Sequence, residues 1–353
     1  MKAISGVAIR AICASVPTSV AHTKDYEYMS GEDRARFQKA TGIAERRVAP
    51  DEQCASDLCY AAANRAIDHL GWERGSIGAL ILVTQTADQP IPATSIVLQS
   101  KLGLSQTCIA FDVNLGCSAF PYGLAIVGGL MQSLGVGRAL LLMGDVSSRL
   151  CAVHDKSAWP LFGDAGSATA LELDKDAPAM HFDLMSDGSG KDAIIVQGGG
   201  LASRHPPRQG KIVEEIGADG VARRPDNLTL RGADIFSFAI TQAAPSIRRA
   251  LEIAGKTVTD ADFLLLHQAN KMINETIAKK TGFPSEKVLS TLANYGNTSS
   301  ASIPVTFCAH AEQFAADRFV VACGFGVGLS WGSVTLTIPG RAVLPIVETD
   351  DVY

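Results

Sequence analysis

The chain has 353 residues, 47% of them hydrophobic, 19% charged and 6% aromatic, with a formal net charge of −5. Such proportions exclude a disordered or fibrous polymer, and the acidic balance excludes the broad basic field that nucleic acid or an anionic membrane surface demands. The length suits two ordinary domains or two fused halves, and no apolar run approaches the roughly 20 residues of a membrane span.

At the start, Met1 to Ile9 reads as a short alternating strand without the apolar core and cleavage site of a signal peptide. The eight cysteines lie in apolar stretches, with no CxxC pair and no Cys/His cluster at zinc spacing, so a reducing cytoplasmic compartment, no metal and no cofactor are expected. Glu45-Arg46-Arg47 reads as a solvated face. Ala55 to Leu70 is an amphipathic helix stopped by Gly71, where a left-handed cap favours glycine. Leu80 to Gln85 is a continuous apolar run, the signature of a strand buried on both faces.

Next, Phe111-Asp112-Val113-Asn114-Leu115-Gly116-Cys117-Ser118-Ala119-Phe120 places Cys117 where a strand stops and an Ala/Gly-rich helix to Leu134 begins. A thiol there faces unpaired backbone N–H groups and the positive end of the helix dipole, which predicts a lowered pKa and a nucleophile. Ala139 to Asp145 and Ser167 to Leu173 read as strands. Residues 174–228 then lose periodicity and gain Pro, Gly and charge, as in His205-Pro206-Pro207-Arg208-Gln209-Gly210, and read as a connecting excursion at the mouth of a site.

From Asp234 the pattern replays itself at an offset of roughly 180 residues, a sign of duplicated architecture. A helix from Asp234 to Ile253 precedes Gly255, and the strand Phe263-Leu264-Leu265-Leu266 ends in His267-Gln268-Ala269-Asn270, echoing Leu80 to Gln85. Asn294-Tyr295-Gly296-Asn297-Thr298-Ser299-Ser300 followed by a helix through Thr306 to Phe314 matches the Cys117 turn and its helix, with Asn297 or Thr298 as its cap. Phe319 to Phe325 and Trp331 to Thr337 match the two strands 139–145 and 167–173. Open α/β sheets bind ligands at strand C-termini, so the duplication predicts that Cys117, His267 and Asn297 converge on one pocket. The Gly324 to Gly332 segment lacks the P-loop lysine and reads as a tight turn presenting an N–H.

These residues resemble the thiolase-fold condensing enzymes, in particular β-ketoacyl-acyl carrier protein synthase III. The matching motifs, in order, are Thr41-Gly42-Ile43 with Glu45-Arg46-Arg47, Asn114 to Ser118, Leu161-Phe162-Gly163-Asp164-Ala165-Gly166, His267 to Asn270, Gly296 to Ser299 and Gly324 to Gly332. The resemblance implies an α/β thiolase-like fold of two pseudo-duplicated αβαβα halves packed face to face: an N-terminal half, residues 1–173, carrying the nucleophile, the excursion 174–228, and a C-terminal half, 229–353. It implies that Cys117 takes an acyl group from an acyl-CoA or acyl-ACP primer, the oxyanion held by the backbone N–H groups of Cys117 and Val327. His267 and Asn297 would stabilise the enolate left when malonyl-acyl carrier protein loses CO₂. A homodimer is implied, with no nucleic acid and no membrane span.

Five positions are carried over as substrate contacts: Ile91, Lys156, Phe162, Lys271 and Met272. Ile91 stands where the family has an aromatic that closes the partner subunit's acyl pocket, which predicts acceptance of chains longer than acetyl. Arg36 and Ala40 stand where the family has the Trp and Arg that hold the adenine of coenzyme A, Lys156 replaces a second Arg, and Met272, next to Lys271, replaces a basic residue. Because arginine is not interchangeable where stacking is needed, a carrier protein or specialised acyl donor is favoured. Two other readings remain: a non-decarboxylating acyltransferase and a non-catalytic partner subunit. A papain-like protease lacks its Cys signature here, Cys323 is off the second thiolase cysteine position, and hydroxymethylglutaryl-coenzyme A synthases need a Glu where Thr84 to Gln89 offers only Asp88.

Overall fold

A computed structural model describes residues 3–200, 214–217 and 219–353; the His205 to Gly210 stretch lies outside them. Two six-stranded sheets organise the chain. Their strands are β1 (Ala3–Ile4), β2 (Val7–Val16), β3 (Ala79–Val83), β4 (Ile109–Val113), β5 (Arg138–Asp145), β6 (Ala165–Leu173), β7 (Met180–Ser186), β8 (Phe263–Leu266), β9 (Val288–Leu289), β10 (Arg318–Gly326), β11 (Ser330–Ile338) and β12 (Val347–Glu348). The helices are α1 (Gly31–Thr41), α2 (Ala55–Leu70), α3 (Thr94–Lys101), α4 (Ala119–Leu134), α5 (Gly232–Ile253), α6 (Lys271–Thr281), α7 (Leu292–Tyr295) and α8 (Ser302–Ala309).

The first sheet runs β12-β2-β6-β5-β3-β4 and the second β1-β7-β11-β10-β8-β9. In both, the strand next to the edge, β3 in the first and β8 in the second, pairs in parallel with its two neighbours, and the next pairings are antiparallel. The duplication read from the sequence is therefore a duplication of sheet topology. Central strands are apolar throughout because helices cover both faces: every residue of β3 is buried.

Layering follows from which helix touches which sheet. Helix α2 covers the outer face of the first sheet and α5 that of the second, while α4 and α8 each touch strands of both. Phe120, Leu124 and Val127 of α4 and Ile303, Val305 and Phe307 of α8 share one core with both sheets. The αβαβα stack is thus built once, by the two halves together, each supplying an outer helix, a sheet and a central helix.

Several elements differ from expectation. Gly6, at φ 70°, breaks the N-terminal strand: β1 pairs with β7 in the second sheet, while Val7–Val16 is buried along nearly its whole length rather than alternating. At the other end β12 pairs with β2 in the first sheet, so the termini cross between the halves. The segment 174–228 contains β7, the first long strand of the second sheet, whose Met180 and Phe182 are buried; its short period-2 pattern is hidden beside Pro and charge. Among the described residues after β7, the strands Ile194–Val196 and Leu228–Leu230 pair, as do Glu215–Ile216 and Ala222–Arg223. The helix after Asn297 ends at Ala309, where the His310 N–H reaches back only to the Phe307 carbonyl, and a separate 3₁₀ turn covers Ala311–Phe314. Glu45-Arg46-Arg47 is not a solvated face: Arg46 is buried, its guanidinium 4.8 Å from the Trp159 ring, because the three residues form a strand paired with Val20–His22. Helix α2 matches its expected limits, capped by Gly71 at φ 61°.

Candidate active site

Cys117 sits two residues ahead of α4, at the C-terminal end of β4, and its turn is closed by the Ala119 N–H donating to the Gly116 carbonyl at 2.8 Å. His267 leaves β8 and Asn297 leaves α7, and the three side chains line one cavity of about 160 Å³ together with Phe162, Phe325 and Val327. Apolar walls come from Leu150, Leu161, Ile194, Leu228, Leu230 and Ile273. The paired strands 194–196 and 228–230 therefore cover the chemistry from outside.

The hydrogen-bond network sets which polar atoms face the cavity. Asn297 Oδ1 accepts from the Ser299 N–H at 2.9 Å, which leaves the Nδ2 amide as the free donor. Its backbone is clamped by N–H donation to Leu161 O at 2.9 Å and by acceptance from Gly163 N–H at 3.0 Å, a parallel bridge that also registers Phe162. Of the two candidate caps, Asn297 makes the bond, to the Ser299 N–H, and the Thr298 side chain makes none. His267 holds its Nδ1 2.7 Å from Ser302 Oγ, leaving Nε2 for the cavity, and packs edge-on against Phe325. A hydroxyl can serve Nδ1 as donor or acceptor, so one partner holds either tautomer.

Gln268 and Asn270, by contrast, are structural. Gln268 Oε1 accepts from Ser290 Oγ and the Thr291 N–H, and Asn270 Oδ1 caps α6 through the Ile273 N–H. Asp145, fully buried, joins the halves: Oδ1 accepts from Thr84 Oγ1 and the Gln85 N–H, and Oδ2 from the Ser300 N–H beside Asn297.

The oxyanion turn is placed by absences of side chains. A Cβ on Gly326 would lie 2.6 Å from Cys117 Sγ, and one on Gly324 would lie 2.6 Å from the Cys117 carbonyl oxygen. Only glycine lets β10 approach the nucleophile this closely. The Val327 N–H and the N–H of Cys117 both favour negative charge on the sulfur. Ser118 Oγ lies 2.7 Å from Ser330 Oγ, which donates to Val327 O at 2.8 Å, so two buried hydroxyls tie the nucleophile turn to the oxyanion turn.

One expectation is overturned. Burial pushes the Cys117 thiol up to about 11 rather than down; the Val327 and Cys117 N–H groups oppose this and Asp145 adds to it. Taking a thiolate out of water outweighs the helix terminus. Burial likewise lowers His267 to about 3, with the Ser299 backbone pulling the other way, so both groups rest neutral at pH 7. Below its pKa the thiolate fraction grows tenfold per pH unit. Alkylation of Cys117 by iodoacetamide is therefore expected to rise steadily from pH 7 to 10 with no step from His267; a plateau below pH 9 would contradict the raised value.

Of the five substrate positions, Phe162 alone lines the cavity. Ile91 is 83% exposed, and Lys156 and Met272 are exposed too; none of the three reaches the cavity within one chain. Lys271 lines a separate groove of about 640 Å³ between α6 and Gly42. Helix α6 turns residues 271 and 272 outward while Ile273 faces in, so sequence adjacency to His267 misleads. Gln85, Ser299 and Ser302 carry no sequence signal of their own for the site, whereas Gly326 belongs to the Gly-rich turn read as presenting an N–H. Among the described residues no group of three His, Cys, Asp or Glu is arranged to hold a metal ion, and no helix is long and apolar enough to cross a membrane.

Family models described as 3-oxoacyl-[acyl-carrier-protein] synthase III and its C-terminal part match residues 111–188 and 251–338. The chain is 31% identical to a beta-ketoacyl-[acyl-carrier-protein] synthase III of Geobacillus kaustophilus, covering 94% of this chain and 98% of that one. It is 37% identical to a beta-ketoacyl-[acyl-carrier-protein] synthase III 3 of Streptomyces coelicolor over 87% and 89% of the two chains. The crystal structure of a 3-oxoacyl-(acyl-carrier protein) synthase from Burkholderia xenovorans superposes with a TM-score of 0.91 at 34% identity, covering 98% of each chain.

Proposed function

The chain belongs to the β-ketoacyl-acyl carrier protein synthase III family, and from that premise we propose that Cys117, His267 and Asn297 carry out its decarboxylating condensation of an acyl thioester primer with malonyl-acyl carrier protein. The observation that carries the reading is the meeting, in one apolar cavity, of a thiol flanked by two N–H groups, an amide with its Nδ2 unspent and a neutral imidazole.

In the first half-reaction Cys117 sulfur bonds to the primer's carbonyl carbon while the oxygen, now negative, rests on the N–H groups of Cys117 and Val327. The carbon–sulfur bond to the primer's carrier, coenzyme A or carrier protein, then breaks, and the thiol proton ends on the departing carrier. In the second, the malonyl carboxylate leaves as CO₂ and the electron pair of the broken C–C bond forms an enolate. Its oxygen is held by His267 Nε2–H and Asn297 Nδ2–H, fixed donors in a water-poor site. The enolate carbon attacks the acyl-Cys117 carbonyl, the sulfur leaves as thiolate and takes a proton from water, and a β-ketoacyl thioester departs.

A homodimer fits this site. Strand β4 is a sheet edge of half-buried residues, α3 packs on it with Ile96 exposed, and Ile91 is exposed just ahead of α3. A second copy covering this edge would bring Ile91 to its neighbour's acyl pocket. All eight cysteines are free thiols, which favours the cytoplasm.

Intact-protein mass spectrometry with a panel of acyl-coenzyme A and acyl-carrier thioesters, followed by malonyl-carrier protein, tests the reading. Cys117 is expected to gain the acyl mass and lose it with release of CO₂, and Cys117→Ala to gain none. Acylation without CO₂ would mean transfer to an alcohol or amine instead; no acylation from any donor would mean a non-catalytic subunit.

A further inference from the structure

Asp145 is a buried acid for which the condensing reaction, as written above, has no use. It ends β5, is fully buried, and has no Lys, Arg or His partner among the described residues. Taking such a group out of water is costly unless hydrogen bonds replace the water. Packing does not call for it. Ala139 to Asp145 repeats Phe319 to Phe325, in matching register, and at the same position the other half buries the apolar ring of Phe325.

The bonds of the carboxylate show what it does. Oδ1 accepts from the Gln85 N–H at 2.7 Å and from the hydroxyls of Thr84 and Thr86 at 3.0 and 3.2 Å, all just past β3. Oδ2 crosses to the other half and accepts from the Ser300 N–H at 3.1 Å. Two acceptor oxygens are needed for this; an amide has one, and would turn its own N–H groups against a backbone N–H.

The Ser300 bond matters because of the residue before it. Ser299 sits at φ 48°, a left-handed conformation that a non-glycine residue holds only at a cost. In that conformation its N–H reaches Asn297 Oδ1 at 2.9 Å. This bond decides which way the amide faces, whereas the backbone bonds to Leu161 and Gly163 fix residue 297 without fixing its side chain. Contacts therefore run from Asp145 in one half through Ser300 and Ser299 to Asn297 in the other.

We infer that Asp145 is a positioning residue for the decarboxylation step, its carboxylate holding the Ser299–Ser300 turn so that Asn297 Nδ2 is aimed at the enolate oxygen. The inference rests on the assignment of Asn297 to that oxygen above. Acylation gains nothing from Asp145. The Cys117 turn is closed by its own backbone and by the Ser118–Ser330 contact, and the charge of Asp145 opposes thiolate formation, while His267, the other titratable group of the site, rests neutral. One side chain thus serves the second half-reaction and works against the first.

Asp145→Asn tests this, because the two steps should part. Release of CO₂ from malonyl-carrier protein is expected to fall about ten- to a hundredfold, the range for loss of a hydrogen bond to a charged group. Acylation of Cys117, and its alkylation by iodoacetamide at pH 8, should hold or rise. In an Asn297→Ala background the same substitution is expected to lower CO₂ release less than threefold, since no amide remains to be aimed. A group that only supports the fold would slow both steps and add its loss to that of Asn297→Ala; either result overturns the inference. Should Asp145→Asn not fold, Thr84→Val takes its place, removing one hydroxyl from Oδ1 at nearly constant volume. It is expected to lower CO₂ release about threefold with acylation unchanged, and equal loss in both steps, or none in CO₂ release, overturns the inference. Loss of CO₂ release in Asn297→Ala but not in Asp145→Asn removes the positioning role alone; CO₂ release unchanged in Asn297→Ala removes the assignment beneath it.

Discussion

Gly326→Ala is expected to slow acylation of Cys117 by about a hundredfold or more, the scale of loss when a reacting group is displaced by an ångström. The new methyl carbon would fall 2.5 Å from Cys117 Cβ and 2.6 Å from its Sγ, nearer than real carbon neighbours approach. Neither side yields easily. Gly326 is paired to Ser330 across the β10–β11 ladder, and the Cys117 turn is pinned by its own backbone bond and by the Ser118–Ser330 contact. The side chain of Cys117 must rotate, which carries the sulfur away from the Val327 N–H and from the oxyanion site. Overpacking costs about 1–3 kcal/mol of stability, so the variant should still fold. Gly129→Ala is the matching control: it lies in α4 with nothing within 4 Å of the added carbon, and no loss of acylation is expected. The comparison is read from the rate of adduct formation by intact mass, with melting curves for both variants. Acylation by Gly326→Ala within threefold of wild type would show that the close approach of β10 is not what aims the sulfur.

Asn297→Ala and His267→Ala should separate the two half-reactions. Each removes one donor to the enolate oxygen, and loss of one such donor costs about 2.7–4 kcal/mol, roughly a hundred- to a thousandfold in rate. Release of CO₂ from malonyl-carrier protein carries that loss. Acylation does not use either donor, because its oxyanion rests on the backbone of Cys117 and Val327, so its rate should change less than tenfold. Asn297 is the sharper case. The residue-297 backbone is held by Leu161 and Gly163 whatever the side chain, so truncation removes the donor, together with the Oδ1 bond to the Ser299 N–H, and leaves that backbone in place. His267 is buried and neutral, so its removal deletes a hydrogen bond and not a charge. Parallel measurement of acyl-adduct formation and of CO₂ release decides the matter. Equal loss in both steps would mean that these side chains shape the cavity for the primer as well.

The residues legible in the sequence were those whose chemistry and local context coincide. Cys117, His267 and Asn297 each stand at the end of an apolar strand or in the matching turn of the other half, where a polar residue has no packing purpose. The residues that escaped notice are ordinary by composition. Ser118, Ser302 and Ser330 are serines among many, and their roles exist only because residues 212 positions apart, Ser118 and Ser330, and 35 apart, His267 and Ser302, are brought within hydrogen-bond reach. Misleading signals came from adjacency: Lys271 and Met272 follow His267 closely, yet helix periodicity turns them away from the cavity.

Periodicity and capping glycines, being local, determined the helices and central strands of this protein, and the repeat of those patterns determined the doubled sheet. Tertiary structure alone decided the rest: the crossing of β1 and β12 between the halves, the membership of β7 in the second sheet, the donor left free on Asn297, and the protonation of the site. The last is the clearest case. Helix position argued for a low thiol pKa, but how much water reaches Cys117 depends on strands distant in the chain, and desolvation outweighs the dipole.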